Sequence, residues 1–197
     1  LNKNRRQGKL AAMSGKLALP SPNPKVVRLF LALWPDSVTR AALDKTAMTL
    51  LPQCGGRKTR SETLHMTLVF LGDVPESRLE ALRASMAGIA MSAFNVPISK
   101  VGRWRHNRIV WAGTDAAPAA LAALVAQLRE RLAAAGFAFD AKAYVPHVTL
   151  LRKTHGLEPE FFPLVLEWPA REFVLVRSVL GDEGAAYEII GRWELQR

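Results

Sequence analysis

Residues 65–72 read His65-Met66-Thr67-Leu68-Val69-Phe70-Leu71-Gly72, and residues 147–153 read His147-Val148-Thr149-Leu150-Leu151-Arg152-Lys153. Each stretch carries His-x-Thr-Leu on an apolar run that reads as a strand. Side chains on a strand alternate with a period of two. His65 therefore shares a face with Thr67, and His147 with Thr149. Met66, Leu68, Val148 and Leu150 point the other way, into a core. A strand that is polar on one face and buried on the other, present twice, predicts sheet faces that meet across a cleft.

Working outward, Val26 to Leu33 is apolar and rich in branched residues, and reads as a buried strand. Asp36 or Ser37 can cap a helix running to about Leu51, with Val38, Ala41, Ala42, Met48 and Leu51 among its apolar positions. Pro52 to Arg60 reads as a Gly-rich, basic loop. A helix over about Glu76 to Met91 is expected from Leu79, Leu82, Met86 and Ile89. Strands follow over about Phe94 to Val101 and Arg108 to Gly113, joined by a polar connection from Arg103 to Asn107. Pro118 to Ala135 is the clearest helix, stopped by Gly136. Strands near Phe162 to Trp168, Phe173 to Leu180 and Ala186 to Trp193 close the chain. This order lacks the regular strand–helix rhythm of a doubly wound parallel sheet. It predicts an α+β fold of antiparallel sheets with helices on one face.

The paired motif carries a chemical meaning. Histidine is the side chain whose ordinary pKa lies nearest neutrality, so one ring can take a proton while the other gives one. The hydroxyls of Thr67 and Thr149 can donate to phosphate oxygens. Arg152 and Lys153 can add charge-assisted contacts to an anion. A single His-x-Thr on a strand is weak evidence, since threonine favours strands for its own reasons. The second copy is what points to function. His106 and His155 have no threonine two residues on, and no His-Glu-x-x-His element offers a metal site.

Composition sets bounds on the function. Hydrophobic residues make up 49% of the 197 residues and charged residues 22%, so an ordinary core can form. No apolar run approaches a membrane span. A lone cysteine, Cys54, excludes an intrachain disulfide and fits a reducing, cytosolic setting; beside Gly55 and Gly56 it reads as a bystander thiol. The formal charge is +10, but Lys3, Arg5, Arg6, Lys9, Lys16 and Lys25 supply much of it. Residues 1–24 read as a basic, flexible tail ending in Pro20-Ser21-Pro22-Asn23-Pro24. The remainder is mildly basic, which allows a nucleic-acid partner without requiring one.

These motifs resemble those of the 2H phosphoesterase superfamily, and more closely the bacterial RNA 2',3'-cyclic phosphodiesterases, formerly called 2'-5' RNA ligases. Arg28-Leu29-Phe30-Leu31-Ala32-Leu33-Trp34-Pro35 and Val110-Trp111-Ala112-Gly113 are also similar to the family. The resemblance implies two lobes related by a pseudo-twofold axis, antiparallel sheets flanking a central cleft, and helices outside. It makes residues 25–197 a single bilobal domain with interleaved lobes. It implies catalytic His65 and His147, with His147 the base and His65 the acid. It implies phosphate binding by Thr67, Thr149 and Arg152. Lys153, Phe30, Trp104 and Arg57 are further candidates for substrate contact. No metal or cofactor is implied, nor a membrane or an obligate protein partner. The expected partner is RNA ending in a 2',3'-cyclic phosphate, tRNA fragments included, in the cytoplasm, with a 2'-phosphomonoester as product. Joining or cleaving 2'-5' linkages, action on another cyclic phosphate, and RNA binding without turnover are the alternatives.

Overall fold

The computed structural model describes residues 25–157, 164–181 and 184–196. The basic tail and the expected start of a strand at Phe162 lie outside them. The described chain runs β1 (Val26–Leu33), α1 (Ser37–Cys54), β2 (Arg57–Lys58), β3 (Met66–Pro75), α2 (Leu79–Met86), β4 (Phe94–Ile98), β5 (Lys100–Trp104) and β6 (Ile109–Gly113). It continues through α3 (Ala119–Ala134), β7 (His147–Arg152), β8 (Leu166–Ala170), β9 (Glu172–Gly181) and β10 (Gly184–Glu194). The main sheet has the order β10-β9-β1-β3-β7-β6-β5, with β2 added beside β7; β4 and β8 form a separate pair. Every paired strand is antiparallel. The fold is α+β, and no helix among the described residues is long and apolar enough to cross a membrane.

Both motif strands lie at the centre. Through the sheet, β3 and β7 meet at one residue pair, Met66 opposite Val148. Both side chains are fully buried. Antiparallel pairing has a local twofold axis through such a pair. The strands outside it repeat the pattern: β3 is flanked by β1 and then β9, and β7 by β6 and then β5. The helices cross between the halves, with α1 against β7 and α3 against β3.

One face of the sheet buries Leu29, Leu31 and Leu33 of β1 with the apolar stripes of the three helices. The other face of β1 places Phe30 and Ala32 in a smaller cluster with Val174 and Val176 of β9. Alternation along one strand thus builds a helix-covered core on one side and an open face on the other.

Several expected elements are corrected. Helix α1 is capped by Asp36, whose carboxylate accepts from the Thr39 amide at 2.7 Å. It buries Thr39, Leu43, Thr46, Ala47, Leu50 and Cys54. Val38 and Met48, expected inward, are 75% and 57% exposed. Threonine can occupy the inner face because Thr46 donates its hydroxyl to the Ala42 carbonyl at 2.9 Å, which leaves no unpaired group there. The helix also runs on through Pro52, and β2 forms inside the expected loop. The second helix is shorter than expected because Gly88 takes φ 75° just after Met86, a conformation glycine adopts readily. The expected strand from Phe94 divides into β4 and β5, which belong to different sheets. Arg103 and Trp104 lie in β5, not in a connection.

Met66 fills the junction between the halves with no accessible surface. Met66→Ala should destabilise the protein by about 2–5 kcal/mol, the usual cost of truncating a buried methionine. Urea unfolding checks this, and a loss below roughly 1 kcal/mol would show that the junction does not depend on that packing.

Candidate active site

The two motifs fold alike residue by residue. In both, histidine is half-buried, the next residue buried, threonine half-buried, and the following two residues buried. Two consecutive buried residues break the alternation. The cause is a register shift in each strand: pairing skips Leu68 between Val69 and Thr67, and Leu150 between Leu151 and Thr149. Such a bulge re-aims every side chain beyond it. Arg152 would otherwise face the core; instead it joins His147 and Thr149. Phe70 joins His65 and Thr67 in the same way.

The result is a cavity of about 340 Å³ on the open face of the sheet. One half contributes Arg28, Phe30, His65, Thr67 and Phe70; the other contributes Asn107, Ile109, His147, Thr149 and Arg152. These are counterparts. Phe30 lies opposite Phe70 as Ile109 lies opposite Arg152, and Arg28 and Asn107 stand two residues before them. Histidines and threonines are duplicated across the axis. The flanking residues are not, so the site has a symmetric centre and unlike ends.

The rings are held by the same device. A carbonyl oxygen accepts from each Nδ1: Thr63 for His65 at 2.7 Å and Val145 for His147 at 2.8 Å. Since a carbonyl can only accept, Nδ1 carries the proton and Nε2 is left as the free ring nitrogen. Aromatic neighbours fix the planes. Trp34 stacks on His65 at 5.5 Å, Phe30 lies 4.8 Å away, and Tyr187 presents an edge at 5.1 Å. Trp104 packs edge-on against His147 at 4.5 Å and leans on Trp111. Trp111 lies flat over Gly102, where a Cβ would come within 2.3 Å of the indole.

This environment resists charge on both rings. Burial pushes the pKa of His65 down to about 4, offset in part by its bond to Thr63, with Arg152 and His147 pushing the same way as burial. Burial and Arg152 also lower that of His147, against its bond to Val145. Both imidazoles therefore favour the neutral form in the empty cleft.

Seven of the nine expected site residues meet at this cavity: His65, His147, Thr67, Thr149, Arg152, Phe30 and Trp104. Lys153 and Arg57 do not line it. Lys153 sits at φ 56° where the chain leaves β7, and Arg57 lies opposite Arg152 on β2. Sequence reasoning missed Arg28, Phe70, Asn107, Ile109, Ser178 and Tyr187. The available signal for Arg28 was a charge two residues from Phe30 in an otherwise apolar strand, which period-two counting puts on the same face. Cys54 is buried at the end of α1, and burial raises its thiol pKa, which suits a bystander. A larger cavity, about 750 Å³, lies beyond Trp34 among Arg171, Glu172, Arg192 and Glu194, and contains neither motif histidine.

Antiparallel halves around a duplicated His-x-Thr centre define a phosphoesterase fold of a particular kind. The LigT-like phosphoesterase family model matches residues 33–111 and 113–187, and the chain belongs to that family. Among its relatives is the RNA 2',3'-cyclic phosphodiesterase of Escherichia coli K12, 29% identical over 171 residues, spanning 85% of this chain and 96% of that one. The apo structure of E. coli LigT superposes with a TM-score of 0.79 at 28% identity, covering 87% of this chain and 99% of that chain. E. coli LigT complexed with 3'-AMP gives a TM-score of 0.77 at 28% identity, with coverages of 88% and 100%.

The depressed pKa of His65 has a stability consequence with a definite sign. An unfolded chain takes up this proton near 6.5, the folded protein only near 4. Stability from the neutral ring is thus complete above pH 6.5 and lost as pH falls toward 4, by on the order of 3 kcal/mol. In an NMR titration the His65 ring should protonate near 4 and move upward when inorganic phosphate binds. A free-protein midpoint near 6.5 would contradict the burial described here.

Proposed function

We propose that this protein hydrolyses the 2',3'-cyclic phosphate at an RNA 3' end to a 2'-phosphomonoester, with His65 and His147 as the acid–base pair and no metal ion. The observation that carries this reading is the pair of tautomer-fixed histidines whose free nitrogens share one small cleft across a local twofold axis. Water must attack phosphorus opposite the departing O3'. Base and acid must then stand on opposite sides of the phosphate, and a twofold-related pair suits that need. The base takes the proton from water as the new P–O bond forms. The acid gives its proton to O3' as the P–O3' bond breaks. Thr67 and Thr149 donate hydroxyl hydrogens to the non-bridging oxygens, and Arg152 balances their charge. RNA as the substrate class is supported by the name carried by the relatives, and a nucleotide ligand by the 3'-AMP complex of E. coli LigT.

The family resemblance makes His147 the base and His65 the acid. One observation favours exchanged roles. His65 is the more enclosed ring and the one driven to about 4, and a neutral ring is what a base requires. Sulfur in place of O3' separates the two assignments, because a thiolate leaves with little proton donation. The variant lacking the acid should recover rate on that substrate, and the variant lacking the base should not.

Incubation with a cyclic-phosphate-ended oligonucleotide in EDTA should give the 2'-phosphate. Binding without turnover would replace this reading with an RNA-binding module. Activity restored only by a divalent ion would end the metal-free mechanism. His65→Ala and His147→Ala should each lower kcat by roughly 100-fold or more. Thr67→Ala and Thr149→Ala should each cost about 1–3 kcal/mol of transition-state stabilisation. The value of kcat/KM reports the free enzyme's pair. Since both pKa values lie below 6.5 and the acid must be protonated, kcat/KM should fall as pH rises above 6.5. The kcat optimum, set in the anion-bound complex, should lie at higher pH. A kcat/KM that keeps rising to pH 8 would exclude this pair.

A further inference from the structure

The histidine–threonine centre is duplicated, but the positive charge around it is not. Arg28 and Arg152 are the arginines that line the cleft, and neither side chain makes an ion pair or hydrogen bond among the described residues. They are not counterparts. The twofold partner of Arg152 is Phe70, and that of Arg28 is Asn107. Arg152 stands next to the histidines, whose protonation it opposes. Arg28 stands on β1 two residues, roughly 7 Å, beyond Phe30. Its guanidinium lies over the Phe70 ring at 5.2 Å, a placement that orders it without neutralising it. Asp73 is opposite in register but forms no ion pair with it.

Rows across the strands give this placement a meaning. Arg28 is opposite Ser178, so a cation and a hydroxyl-bearing residue stand side by side along the cleft wall, while the Tyr187 ring on the next strand leans toward His65. The neighbouring row is apolar: Phe70, Phe30, Val176 and Ile189. The row after that holds Thr67. In that row Thr67 is the polar residue that lines the cleft, beside the buried Ala32 and Val174, so polar groups at the histidines and at Arg28 flank an apolar stretch of the cleft wall. A 3'-terminal nucleotide has the same sequence of chemistry: the cyclic phosphate at one end, the uncharged nucleoside, then the phosphodiester on its 5' oxygen.

From this match we infer that Arg28, with Ser178 beside it, is a second phosphate site, which holds the linkage on the 5' side of the terminal nucleoside. This rests on the cleft's reading as an RNA 3'-end site. It makes Arg28 a specificity residue that favours an oligonucleotide end over a free nucleoside cyclic phosphate.

The test compares two dinucleotides that end in a 2'-phosphate and differ only at the internucleotide linkage, one an ordinary phosphodiester and the other an uncharged methylphosphonate. By calorimetry at low salt, the wild type should bind the charged ligand about tenfold tighter. Arg28→Ala should remove most of that difference, and Arg28→Lys should keep part of it. For the charged ligand, Arg28→Ala should also flatten the dependence of log K on log salt by about 0.7, one single-strand phosphate contact. Equal binding of both ligands by the wild type, no binding of either, or a difference that survives in Arg28→Ala would overturn the assignment. Failure of the wild type to hydrolyse a cyclic-ended dinucleotide would count against the catalytic reading, while the binding comparison would still decide the role of Arg28.

Discussion

The antiparallel pairing of Met66 with Val148 is the constraint on which the site depends. Pairing strands in opposite directions about one residue pair imposes a twofold relation on whatever stands one residue to either side. His65 is set on the side of Thr149, and Thr67 on the side of His147. The same pair faces the core and has no accessible surface. Sliding one motif strand by one residue against the other would drive its histidine into the apolar interior and part the pair. Burial of Met66 and Val148 therefore also fixes the alignment of the two imidazoles.

Symmetry at the centre leaves the surroundings to distinguish the ends of a substrate. Phe30, Phe70, Tyr187 and Arg28 occupy one side; Trp104, Asn107, Ile109 and Arg152 occupy the other. The electrostatics of the cleft disfavour further positive charge. Burial favours neutral histidines, and the two lining arginines form no ion pair among the described residues. On the proposed reading, an arriving phosphate would satisfy the arginines and make protonation of a ring easier in the same step. Binding and proton uptake would thus be one linked event.

Much of this was legible because it rests on local periodicity. The bounds of β1, the extent of α3 between Pro118 and Gly136, and the histidine–threonine pairs all follow from counting by two or by 3.6. What escaped was non-local. The buried face of α1 is disguised by threonines whose hydroxyls are satisfied within the helix, as Thr46 shows. The cleft side of Arg152 depends on a bulge at Leu150, which exists only because β6 and β7 pair out of step there. Tyr187 and Ser178 reach the site through β9 and β10, from the far end of the chain. No spacing within one segment records that proximity. Trp104 was recognised as a candidate but misplaced in a connection, because Arg103 and Arg105 give its strand a polar look.

The place of β1 in the sheet has a consequence for how the chain comes to be folded. Its two neighbours are β3, made soon after it, and β9, made only after β3 through β8. On the ribosome, the apolar run Val26–Leu33 can zip to β3 early. Its other backbone edge must wait until the chain through β9 has emerged. For that interval it is an open hydrophobic edge, the kind of surface that recruits other chains. Closing it joins segments distant in sequence, and contacts of that kind are slow to form. The order in which the strands are made thus leaves one edge of β1 uncovered until β9 can pair with it.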